Sequence, residues 1–69
     1  MTLQDAIAAA TRAGFKVRFE DDPDTMGWWI ITPRLPRRPS EKHGAFRDEA
    51  RAWFAAASMA HDLATHAAE

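Results

Sequence analysis

Leu3, Ala6, Ile7 and Ala10 recur at spacings of three and four and form one apolar stripe, which predicts a helix over residues 2–13. Thr2 is placed to cap it, with Asp5 three residues on as a variant capping box. Gly14 then reads as a left-handed C′ residue. Phe15 after it is placed to touch Ala10, the contact of a Schellman ending. From Phe15 the period changes to two. Phe15, Val17 and Phe19 alternate with Lys16, Arg18 and Glu20, which predicts a half-buried strand over 15–20. The run Asp21-Asp22-Pro23-Asp24-Thr25-Met26-Gly27 supplies turn chemistry. Trp28-Trp29-Ile30-Ile31-Thr32 is a second strand with large apolar side chains on both faces.

Pro33 ends that strand or marks it as an edge. Pro33, Pro36 and Pro39 recur every third residue, the repeat of an extended polyproline II segment. Ser40 to Gly44 reads as a polar connector, with room for a short third strand near Gly44–Phe46. The last helix is predicted from about Arg47 to about Thr65. Phe46, Ala50, Trp53, Ala57, Ala60 and Ala64 form its core-facing stripe, and Arg51, Ala55, Ser58, Asp62 and Thr65 its wet face. A second apolar row, Ala52, Ala56, Met59 and Leu63, gives this helix a wider apolar surface than a small sheet needs.

The resulting fold class is α+β, in the order α-β-β-α, with an antiparallel hairpin and two helices packed on one face. Residues 1–69 make one small domain. A two-stranded sheet is marginal alone, so a third strand or a homodimer is the natural remedy. The Ala52/Ala56/Met59/Leu63 row and the open sheet face are the candidate dimer surfaces.

Composition narrows the function. The chain has no Cys, which removes disulfides, thiol catalysis and Cys-based zinc sites. Ala fills 15 positions and Arg outnumbers Lys seven to two, the bias of a high-GC bacterial or phage coding sequence. No apolar run approaches a membrane span, and the N-terminus lacks a basic-then-apolar signal pattern. A cytoplasmic location and no membrane partner are therefore expected.

Chemistry is sparse. Ser40, Ser58 and the threonines sit in no nucleophile motif, and no phosphate-cradling glycine motif occurs, so neither an enzyme nor a cofactor is expected. His61 and His66 project about 140° apart on a helix. Asp62 and His66 share a face, but two ligands do not make a zinc site, and a helix-end ion pair is the simpler reading. Taking Asp22 as the first position of a calcium loop puts Met26 and Pro33 where oxygen ligands belong. No metal is expected.

Three candidate contact elements remain. Glu20, Asp21, Asp22 and Asp24 form an acidic cluster suited to a basic partner surface. Arg34, Arg37, Arg38 and Lys42 form a basic one, against Glu41. Pro33-x-x-Pro36-x-Arg38 also matches a PxxPxR peptide motif. The net charge of −1 is thus a cancellation between separated groups. Of Trp28 and Trp29, one belongs to the core and one to the open face beside Lys16 and Arg18; the alternation leaves open which. A Trp there serves a protein contact, packs beneath Lys and Arg stems, or stacks bases.

The segment Gly44-Ala45-Phe46-Arg47-Asp48-Glu49-Ala50-Arg51-Ala52-Trp53 resembles a pattern of small bacterial and phage α+β proteins, in which Phe and Trp pin the last helix onto a sheet. In size, missing catalytic motif and split charge the chain is similar to small phage or mobile-element inhibitors, anti-CRISPR proteins among them. That resemblance implies a non-enzymatic protein-binding module that occludes part of a defence complex. The rival expectation is a small nucleic-acid-binding protein using Arg34, Arg37, Arg38, Lys16 and Arg18.

Overall fold

A computed structural model describes residues 1–67, with side chains through residue 65. The elements are α1 (Leu3–Arg12), β1 (Lys16–Glu20), β2 (Gly27–Ile31), β3 (Lys42–Phe46) and α2 (Glu49–Ala67). The sheet is antiparallel in the order β1-β2-β3. The fold is the expected small α+β domain, with the third strand present.

Both ends of α1 form as the sequence indicates. The Thr2 hydroxyl accepts from the Asp5 amide at 3.1 Å, and the Asp5 carboxylate accepts from the Thr2 amide at 3.2 Å. The Thr2 amide holds the Asp5 carboxyl below its ordinary pKa. At the other end Gly14 takes φ +92°, the Gly14 amide donates to the Thr11 carbonyl, and the Phe15 amide donates to the Ala10 carbonyl at 2.9 Å. These are the two bonds of a Schellman motif. Phe15 and Ala10 then meet in the core.

Val17 lies opposite Ile30, and Phe19 opposite Trp28. Ile30 is wholly buried and joins Ala10, Phe15, Ala52, Ala56 and Ala60 in one cluster, with Val17 and Trp28 packed against it. This face carries the helices. Trp28 is therefore the inward tryptophan, its ring centroid 5.2 Å from that of Phe19. The opposite face carries Lys16, Arg18, Glu20, Trp29 and Ile31.

β3 begins at Lys42, earlier than the short strand expected near Gly44–Phe46. His43 opposes Ile30 and Phe46 opposes Trp28, so β3 spends one more residue than β2 over that stretch. The bulge breaks the two-residue alternation and hides the strand from pattern reading.

α2 begins at Glu49 instead of Arg47 because Asp48 caps it, its carboxylate accepting from the Arg51 amide at 2.8 Å. The helix lies against all three strands, and α1 packs chiefly on α2. The extents of 40 × 29 × 14 Å give the molecule one sheet layer and one helix layer. This layout corrects the helix-face assignment. Of the expected core stripe, Ala57 and Ala60 are buried, Ala50 and Trp53 half-buried, and Ala64 exposed. Ala52 and Ala56, assigned above to a dimer interface, are wholly buried inside the chain, and Met59 and Leu63 are half-buried against the core. α2 needs two apolar rows because it faces both the sheet and α1. A second copy cannot reach Ala52 or Ala56.

Candidate partner-binding site

Thr32 closes the neck of the β2–β3 connection. Its amide donates to the Glu41 carbonyl at 2.9 Å, its hydroxyl accepts from the Glu41 amide at 2.8 Å, and its carbonyl accepts from the Ser40 hydroxyl at 2.7 Å. Within the loop the Leu35 amide donates to the Arg38 carbonyl, and the Arg38 amide donates to the Leu35 carbonyl. Residues 33–40 thus fold back as a pinned finger with Pro36 and Arg37 at its tip. The extended polyproline II reading is overturned. Pro36 fixes φ at the first turn corner, and a tight turn satisfies the Leu35 and Arg38 backbone that an extended segment leaves to water.

The finger and the C-terminal half of α2 enclose a groove of about 940 Å³. Phe15, Met59 and Leu63 line it from the body of the domain, and Leu35, Pro36 and Pro39 from the finger. Arg37, Arg38, Glu41, His43 and Asp62 supply its polar groups. Two features that looked unrelated in the sequence, the Arg/Pro segment and the Met59/Leu63 row, therefore form the two walls of one site. Among the described residues the ion pairs are Lys42–Glu20 and Arg51–Asp48, His43 Nε2 lies 3.4 Å from Glu41, and Arg34, Arg37 and Arg38 belong to none of these pairs.

Lys42 leaves the basic cluster. It crosses the open sheet face to bond Glu20, its ammonium 4.9 Å above the Trp29 ring. The Lys42 bond, followed by one from Thr25, holds the Glu20 carboxyl below its ordinary pKa. Trp29 donates its indole N–H to the Thr25 carbonyl at 2.7 Å and leans over Gly44. The open-face tryptophan is therefore covered by a lysine and fixed by three neighbours. It anchors the turn to the sheet, and Lys42 covers a ring face that a stacked base would use.

The acidic cluster also divides. Glu20 is in β1 and committed to Lys42. Asp22 is committed to its own turn, accepting from the Asp24 amide at 2.9 Å and, through its carbonyl, from the Thr25 amide. Asp21, Asp22 and Asp24 remain exposed at the opposite end of β2 from the finger. The groove's own carboxylates, Glu41 and Asp62, and its His43 were not singled out as contact residues. Their positions follow from the finger's fold, which short-range pattern does not reveal.

Among the described residues no group of three or more His, Asp or Glu is placed to hold a metal. The His66 side chain, half of the Asp62–His66 pair, lies outside the described side chains. No described helix is long and apolar enough to cross a membrane. No family model, curated protein sequence or solved structure matches the chain.

Proposed function

We propose that the chain is a non-enzymatic protein-binding module, of the inhibitor or accessory type that the phage and mobile-element resemblance suggests. It takes a segment of its partner into the groove between the finger and α2. The observation that carries this reading is the pairing of an apolar groove wall with Arg37 and Arg38, whose guanidinium groups form no ion pair among the described residues. The occupant that suits it is an amphipathic segment with apolar side chains for Phe15, Leu35, Met59 and Leu63, and a carboxylate for the arginines. The bonds at Thr32 hold the finger in place beforehand, which lowers the ordering cost of binding.

Affinity capture with the wild-type chain, with Arg37→Glu/Arg38→Glu and with Leu63→Asp tests the reading. A specific protein retained by the wild type and lost from both variants supports it. Equal retention by all three counts against the groove. A filter-binding salt series addresses the rival. Nucleic-acid binding that falls steeply with salt, and falls again in Arg37→Glu/Arg38→Glu, would favour a phosphate-binding role for the same arginines.

A further inference from the structure

β1 is an edge strand, so one side of its backbone has no strand partner. It pairs with β2 without interruption over all five residues, and is therefore the regular edge of the sheet. β3, the other edge, carries the bulge, a device that bends a strand out of further pairing. Phe19 keeps 49% of its surface exposed at the β1 edge, even with its ring against Trp28. A regular edge with an exposed aromatic is a template for strand addition.

The charges of β1 select the occupant. Two antiparallel copies of this strand that keep their helices on the same side of a joint sheet must have a two-fold axis at a residue of the strand. With the axis at Val17, Lys16 faces the second copy's Arg18. With the axis at Arg18, that residue faces itself. With the axis at Phe19, Arg18 faces the second copy's Glu20 on both sides of the axis, and the two Phe19 side chains meet at the centre. Of these three registers, only the one about Phe19 places no like charges directly opposite. Arg18 and Glu20 lie on the same face. Glu20 is held there by Lys42 through Oε1, with Thr25 as a second donor.

We propose that the chain self-associates through β1, antiparallel about Phe19, joining two three-stranded sheets into one. The interface uses none of the groove's lining residues, so it stands or falls separately from the partner-binding reading.

Light scattering over a concentration series, combined with charge reversal, tests it. The wild type is expected to move toward twice its 7.7 kDa mass as concentration rises. Arg18→Glu sets carboxylate against carboxylate at both symmetry-related pairs, and Glu20→Arg sets guanidinium against guanidinium. Each variant alone is expected to dissociate at about tenfold higher concentration or more. An equimolar mixture of the two restores opposite charges and is expected to recover the dimer. Circular dichroism establishes that each variant is folded. Arg18 forms no ion pair among the described residues, so Arg18→Glu carries the test alone if Glu20→Arg loses its fold with the Lys42 bond. A wild type that stays monomeric at the highest attainable concentration overturns the proposal. So does a dimer that Arg18→Glu leaves unchanged, or two folded variants that do not recover on mixing.

Discussion

Gly44 lies beneath the edge of Trp29: a methyl group on its α-carbon would come within 2.9 Å of the indole Cδ2. The same methyl would meet the Trp28 carbonyl oxygen at 2.9 Å, and a backbone atom cannot swing aside. Gly44→Ala is therefore expected to destabilise the fold by about 1–3 kcal/mol, the usual cost of overpacking. For a domain of this size that lowers Tm by roughly 4–8 °C per kcal/mol. Thermal unfolding followed by Trp fluorescence reads both the stability and the displacement of the ring.

The Lys42–Glu20 bond makes stability depend on pH in one direction. The Glu20 carboxyl titrates lower in the folded chain than in the unfolded one, chiefly because of the Lys42 bond. Its contribution is therefore present above the unfolded pKa and is lost as pH falls through the depressed folded value. Lys42→Met keeps much of the apolar stem over Trp29 and removes the charge. Urea midpoints of wild type and Lys42→Met are expected to differ near neutrality and to converge in acid. A gap that stays constant through the acid range would show that the bond does not carry the dependence.

Ala56 is wholly buried in the core cluster beneath the sheet. Enlarging it forces α2 away from its neighbours. Ala56→Leu is expected to cost about 1–3 kcal/mol or more, visible as a lower urea midpoint. Ile30→Ala, at the largest fully buried side chain, is expected to cost about 2–5 kcal/mol through the cavity it leaves. Full stability of Ala56→Leu, with a change in oligomeric mass only, would return Ala56 to an interface.

These elements also show what the sequence could and could not convey. Thr2–Asp5 and Gly14–Phe15 were legible because a cap and a Schellman ending are decided within a few residues. β1 and β2 were legible from alternation and β-branched content. β3 is obscured by its bulge, and the wide apolar face of α2 does not reveal what covers it, because α1's docking on it is a long-range fact. The arginines and prolines of the finger were legible as a cluster. Their shape was not, since Thr32, Ser40 and Glu41 close the finger across a separation of eight or nine residues. For the same reason Lys42 read as part of the basic cluster, although it reaches across the sheet to Glu20.

The finger's geometry separates two contributions to binding. Arg37→Lys keeps a charge but loses the planar guanidinium fork. If a partner carboxylate is held at that fork, Arg37→Lys is expected to weaken capture by about tenfold. Loss of the same size at 0.1 M and 0.5 M salt (roughly 10 Å and 4 Å screening lengths) would mark a direct hydrogen-bonded contact instead of long-range attraction.

The most direct measurement is selection of short peptides from a random display library on the immobilised chain, followed by amide chemical-shift mapping with the winning peptide. Enriched peptides are expected to combine apolar residues with Asp or Glu, with shifts confined to Phe15, Leu35, Arg37, Arg38, Met59 and Leu63. Shifts centred on the open sheet around Trp29, or on the Asp21–Asp24 turn with the groove unmoved, would contradict it.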